Sequence, residues 1–195
     1  MRIALSKGRV ADNILDMLVQ KNVIDEKPNI GRNLKFNISG IEIIIARSSD
    51  LSLILDSKYA DVAILGSDVI NEKYKDKYVE LLDLKTGKCY FALASLPNND
   101  LNMMKVIATK YPETAKRYLE LLKSECEIIK LNGCLELYPN IGLSDGIIDI
   151  VESGKTLEAN GLVIYEKFEE VTTRIITTKE NSNNNEVKIL LNRLR

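Results

Sequence analysis

The stretch GIIDIVESGKTLEANGLVIYEKFEE, Gly146 to Glu170, reads as a strand, a tight turn, a short helix and a second strand. GIIDIV is apolar on both sides of its alternation, the pattern of a strand buried on both faces. Glu152, Ser153 and Gly154 interrupt it, TLEAN is helical and short, and Gly161 suits a helix end. LVIYEKFEE then resumes an extended pattern. A strand that turns through glycine into a helix and back to a strand is a unit of α/β architecture.

The SGKT within this stretch is a partial match to a nucleotide triphosphatase loop, G-x-x-x-x-G-K-S/T. The first glycine of that pattern would stand five positions before Gly154, where Asp149 lies instead. A charged side chain there would crowd a β-phosphate, which argues against an ATPase. A turn opening a helix still presents unpaired amide N–H groups and the positive end of the helix dipole, and so suits some other phosphate. Ser153 and Thr156 add hydroxyls, and Gly154 lets backbone approach a ligand. From the local pattern alone Thr156 could equally be a plain helix cap.

Outward from this unit the alternation continues. Strand-like runs lie at 2–6, 34–38, 41–46, 61–66, 78–84, 89–96, 105–110, 126–131 and 173–178. Apolar stripes at helical spacing appear at Val10, Ile14, Met17 and Leu18, at Ala115, Tyr118, Leu119 and Leu122 behind Pro112, and at Val187, Leu190, Leu191 and Leu194. These are core faces and carry no function. The expected fold is α/β with mixed, mainly parallel sheets. If the chain forms two lobes, it crosses near LKTGK (84–88) and returns near Glu169 to Thr172, giving lobe I as 1–86 with 171–195 and lobe II as 87–170.

The 195 residues carry 27 basic and 28 acidic side chains, a net charge of −1, which excludes a broad nucleic-acid face. Any polyanion must therefore meet a local cluster. Cys89, Cys126 and Cys134 are widely spaced, as in a reducing compartment and unlike a structural zinc site. With no signal-like or membrane-spanning segment, a cytoplasmic protein without membrane contact is expected. There is no histidine, so neither a Ser-His-Asp triad nor an imidazole base is available.

Three segments follow strand-like runs with charge: Lys7, Gly8 and Arg9 in ALSKGRV, Arg47 in ARSSD, and Gly66 and Asp68 in ILGSD. Ligands of open α/β sheets bind beyond the carboxyl ends of strands, so these form a candidate anion clamp. Asp145 and Asp149 are four apart; even spacing in a strand puts both on one face, as a pair for ribose hydroxyls or Mg²⁺.

With these residues in place, the chain resembles ATP phosphoribosyltransferase in its short form, the first enzyme of histidine biosynthesis. The motifs ALSKGR, GRNLKF, DVAILGSD, ELLDL, IATKYP, IIKLNGCLELYP and GLSDGIIDIVESGKTLEANGL fall in family order. The resemblance implies a two-lobed fold like the periplasmic binding proteins, with the active site in a central cleft. It implies that adenine N1 of ATP displaces pyrophosphate from C1 of phosphoribosyl pyrophosphate (PRPP), with Mg²⁺ as cofactor, held mainly by substrate phosphates. That chemistry needs no histidine, because a ring nitrogen already carries a lone pair.

Carried over by residue, the resemblance assigns Asp145, Asp149 and Glu152 through Leu157 (Ser153, Gly154, Lys155 and Thr156 between) to PRPP. It assigns Lys7, Gly8, Arg9, Arg47, Gly66 and Asp68 to ATP, and Arg9, Arg32 and Asp149 to catalysis. NGCLELYP departs from the family at Asn132, Cys134 and Tyr138, while Gly133 and Glu136 match. Short forms imply a homodimer of catalytic chains joined to a regulatory subunit resembling histidyl-tRNA synthetase, in a hetero-octamer. Only a short helix follows TRIITT, so the long form's regulatory domain is not expected. A non-catalytic binding module would have no use for a phosphate loop beside acids. A base-salvage phosphoribosyltransferase would place its acids side by side before T-G-x-T, not four apart.

Overall fold

The computed structural model describes residues 1–195, which divide into two compact units: Met1–Gly87 with Thr172–Arg195, and Lys88–Val171.

The first unit is a six-stranded sheet built from β1 (Arg2–Ser6), β2 (Lys35–Ile38), β3 (Ile41–Ala46), β4 (Val62–Gly66), β5 (Val79–Asp83) and β11 (Thr173–Thr177), in the order β2-β3-β1-β4-β11-β5. One face packs Ile3, Leu5, Ile43, Ile45, Val62 and Ile64 against α1 (Arg9–Gln20) and the terminal helix α7 (Asn185–Leu194). Ile14, Leu15 and Leu18 of α1 and Val187, Leu190, Leu191 and Leu194 of α7 are buried there, so both helical stripes of the sequence are core. The opposite face, with Ala4, Ala63, Leu65 and Ile176, is covered by α2 (Leu51–Asp56), the single turn α3 (Ser67–Val69) and a π-helical turn at Ile70–Tyr74. Burial on both faces explains why β1 and β4 have no polar alternation.

The second unit is a five-stranded sheet of β6 (Cys89–Ser95), β7 (Val106–Thr109), β8 (Glu127–Lys130), β9 (Gly146–Val151) and β10 (Val163–Val171), in the order β10-β6-β9-β7-β8. Helix α4 (Pro112–Leu121) covers one face with Ala115, Tyr118 and Leu119, beside Phe91, Leu93, Ile107 and Ile148. The other face carries Ala92, Ala94, Ala108 and Ile147 under Leu135, Leu157 and Leu162, near α5 (Leu137–Asn140) and α6 (Lys155–Ala159).

The sheets are mixed, but less parallel than expected. Four strand pairings are parallel and five antiparallel. Two local causes account for this. Ser39 and Gly40 both have positive φ (53° and 76°), so β2 and β3 form a tight hairpin, which is antiparallel by necessity. β11 runs antiparallel between β4 and β5. Helix α2 escapes sequence periodicity because six residues complete fewer than two turns and bury only Leu51 and Leu55.

Candidate active site

β9 is the middle strand of the second unit, flanked by β6 and β7, and its carboxyl end opens a pocket of about 200 Å³. Val151 is buried and ends the strand; Gly154 follows in the left-handed region at φ 80°, and α6 begins at Lys155. That φ favours glycine, and a Cβ would also press on Ile164 Cδ1 at 3.4 Å. Leu157 is buried in the core below, which anchors α6 and leaves its first amides to the pocket. Ser153 Oγ lies 3.5 Å from the Lys155 N–H, a long contact at the helix entrance.

Asp149, Glu152, Ser153, Gly154, Thr156 and Leu157, all expected at the site, line this pocket. Lys155 opens α6 and is exposed, outside the lining. The lining also includes Glu136, at the start of α5, which the sequence reading matched to a motif without giving it a role. The signal available for it was its position after buried Leu135, which turns the next side chain away from the core. Asp149 Oδ1 accepts a 2.8 Å hydrogen bond from Ile150 N–H, which presets the orientation of its carboxylate. Three carboxylates beside a helix entrance are unsuited to free phosphate on its own. They suit a ligand that puts its phosphate at the amides and its hydroxyls, or a developing positive charge, toward the acids.

Asp145 is not in this pocket. It precedes β9 at the opposite end of the strand, about 13 Å away at the usual rise per residue. Its carboxylate accepts hydrogen bonds from the N–H groups of Lys105 (2.7 Å) and Val106 (2.9 Å). The expected pair of acids is thus not brought together, and only Asp149 lines the pocket: even spacing keeps to one side of a strand, but four residues carry the chain from before its start to near its far end.

In the first unit, β1 pairs in parallel with β3 and with β4, so their carboxyl ends are neighbours. Lys7, Gly8 and Arg9 leave β1, Arg47 leaves β3, and Gly66 and Asp68 leave β4, so the expected nucleotide residues meet at one edge of this sheet. Lys7 N–H donates to Ala46 O at 2.8 Å, and the hydroxyls of Ser6 and Ser48 lie 2.6 Å apart, which binds the first two ends together. Gly8 precedes α1 at φ 99°, a conformation open to glycine. A Cβ at Gly66 would come within 2.1 Å of Asp68 Oδ1, so the glycine makes room for that carboxylate to fold back. Arg32 is exposed in the turn before β2; because Ile45 N–H donates to Leu34 O at 2.8 Å, this turn reaches the same end of the sheet. Lys7, Arg9, Arg32 and Arg47 lie at that edge together with Asp68, a local gathering of cations that the net charge of the chain conceals.

No three His, Cys, Asp or Glu side chains converge in a group able to hold a metal ion. Magnesium does not demand one, since it keeps waters and takes one or two carboxylates along with substrate phosphates. The three cysteines are free thiols, and no helix is long and apolar enough to cross a membrane.

Residues 47–195 match the family model for ATP phosphoribosyltransferase. The ATP phosphoribosyltransferase of Lactococcus lactis subsp. cremoris (strain MG1363) is 41% identical over 184 residues, covering 92% of this chain and 88% of that protein. Among solved structures, a chain of the ATP phosphoribosyl transferase (HisG:HisZ) complex from Thermotoga maritima is 29% identical and superposes with a TM-score of 0.81, over 100% of this chain and 96% of that one. The periplasmic VFT2 domain of Bordetella pertussis BvgS reaches a TM-score of 0.64 at 13% identity, covering 100% of this chain and 86% of that one, a likeness of fold alone.

Proposed function

The chain belongs to the ATP phosphoribosyltransferase family and so is a transferase of the first step of histidine biosynthesis; from that premise we propose how its residues perform the step. The loop Glu152–Leu157 receives the 5-phosphate of PRPP on the first amides of α6, with the hydroxyls of Ser153 and Thr156 beside them. Asp149 faces the ribose. The cationic edge of the first unit, with Lys7, Arg9, Arg32 and Arg47, takes the polyphosphate groups of ATP.

Adenine N1 attacks C1 of the ribose while the bond to pyrophosphate breaks. The nucleophile brings its own electron pair, so the protein is asked for position and charge and not for a base. As the bond to pyrophosphate lengthens, positive charge grows on the ribose and negative charge on the leaving group. Asp149 opposes the first. Mg²⁺, which the substrate phosphates would hold for the most part with one or two of the carboxylates Glu136, Asp149 and Glu152, would supply neutralising charge as the leaving group departs.

The observation that carries this reading is the pocket itself, where a left-handed glycine opens a helix against Asp149 and Glu136. The same fold serves as a solute-binding domain, but such a domain has no need of acids beside a phosphate loop. The T. maritima relative was solved as a complex of two kinds of chain. By the same pattern we assign this chain a regulatory partner resembling histidyl-tRNA synthetase, a homodimer of catalytic chains within a hetero-octamer, and a cytoplasmic location. The three free thiols agree with a reducing compartment.

The test is to mix the chain with ATP, PRPP and Mg²⁺, with and without the partner, and follow phosphoribosyl-ATP by its ultraviolet absorbance. Formation of product that depends on both substrates is expected. No product under either condition would rule out the enzyme reading.

A further inference from the structure

The end of β9 remote from the pocket is held by a polar network with no evident ligand of its own. The carbonyl of Asp145 accepts from the Ser95 hydroxyl and, at 3.2 Å, from Asn99 Nδ2, which also donates to Ser95 Oγ at 2.8 Å. The carboxylate of Asp145 accepts the N–H groups of Lys105 and Val106, and its own N–H donates to Val106 O at 2.8 Å. Ser95 is fully buried. One residue therefore ties together the end of β6, the start of β7 and the start of β9.

The next residue removes lateral freedom. A Cβ at Gly146 would lie 3.1 Å from Ala94 O and 3.2 Å from Ile107 Cδ1, so β9 has no space to shift sideways at its start. From this fixed point the strand runs without a bulge to Asp149 and then to the loop at Gly154. Side chains alternate along a strand, so a slip of one residue would turn Asp149 to the other face, and a smaller displacement would move the loop with it.

We propose that Asp145, Asn99 and Ser95 are positioning residues for PRPP: they fix the register and axial position of β9 so that Asp149 and the Glu152–Leu157 loop meet the ribose phosphate. The role is exerted through the strand, and it rests on the assignment of this pocket to PRPP. Misplacement of a reacting group by an ångström costs up to roughly 100-fold in rate, so an anchor one strand-length away is felt at the site.

The experiment compares Asn99→Ala and Asp145→Asn with the unmodified chain, together with Asn102→Ala, whose side chain bonds only to neighbouring Asp100. The two anchor variants should raise the KM for PRPP roughly 10-fold or more while the KM for ATP stays within about twofold. Their far-ultraviolet circular dichroism should match the parent, and Asn102→Ala should behave as the parent throughout. PRPP saturation of the unmodified chain is measured first, with and without the partner, and its absence under both conditions would remove the pocket assignment and this role together. If it is present, a folded Asn99→Ala with unchanged PRPP KM, or with both KM values raised alike, overturns the positioning role alone. Should Asp145→Asn fail to fold, Asn99→Ala decides, because it leaves both amide–carboxylate bonds in place.

Discussion

A carboxylate contributes most to pentosyl transfer where positive charge appears as the leaving group departs. In the role proposed for Asp149, one oxygen is already engaged by the Ile150 N–H at 2.8 Å, so little reorganisation is required when charge develops. Asparagine has nearly the same shape and can still accept that hydrogen bond, but it lacks the charge. Asp149→Asn should lower kcat/KM for PRPP by roughly 100-fold, the scale of losing one preorganised electrostatic partner, and leave the Kd for ATP within about twofold. Steady-state kinetics and calorimetric ATP binding read the two separately, and equal losses would contradict the assignment. The same position shows how far residue-level reading goes. Asp149, Ser153, Gly154 and Thr156 were legible because their spacing encodes a strand, a turn and a helix start. Asp145 was misread because parity along a strand reports a side and not a location, and its real partners, the amides of Lys105 and Val106, lie about forty positions earlier in the sequence.

At the scale of elements, all eleven strands were legible, most as short apolar runs, β2 (KFNI) by its alternation and β10 (VIYEKFEEV) as a longer run of mixed polarity, and the helices that span ten or more residues were legible by their stripes. Pairing direction was less so. It depends on turn geometry, as at Ser39-Gly40, and on which sheet a strand joins, as with β11. β11 is joined to β5 by an ion cluster that sequence periodicity does not show. Arg174 pairs across the sheet with Asp83, reaching its carboxylate at 3.3 Å and that of Glu80 at 2.5 Å, while its Nε donates to Thr172 Oγ1 at 2.8 Å. Burial opposes the charge of Asp83, but hydrogen bonds from the side chain and backbone of Lys85 and from Thr172, with the nearby Arg174 guanidinium, outweigh it and bring the carboxyl down to about 2. A carboxyl whose folded value is depressed adds stability above its unfolded value, near 3.8, and loses it as pH falls toward 2. Asp83→Asn should therefore be less stable than the parent by on the order of 1–2 kcal/mol at pH 7, after allowance for solvent screening. The gap should narrow steadily between about pH 4 and pH 2 in urea titrations. A gap that does not change over that range would show that the charge of Asp83 is not its source.

At the scale of the whole molecule, family order was legible from the first motif to the last, and so was the near balance of charge, 27 basic against 28 acidic residues. The concentration of Lys7, Arg9, Arg32 and Arg47 at one sheet edge was not, because it follows from how β1, β2, β3 and β4 lie side by side. Feedback by the pathway's end product requires a second site whose ligand distinguishes two states of the enzyme. In the assembly proposed above, that site is assigned to the partner resembling histidyl-tRNA synthetase. The purified chain should accordingly show low activity that histidine does not change, and addition of the partner should raise the rate and bring histidine inhibition with it. Initial rates with histidine titrated against each preparation decide the matter, and micromolar inhibition of the chain alone would sink the prediction. Linkage adds a second, independent reading: if histidine weakens PRPP binding to the complex, PRPP must weaken histidine binding by the same factor. Calorimetric titration of histidine into the complex with and without PRPP measures that factor directly, and a histidine affinity that PRPP leaves unchanged would mean that the inhibition is exerted on the catalytic step and not through PRPP binding.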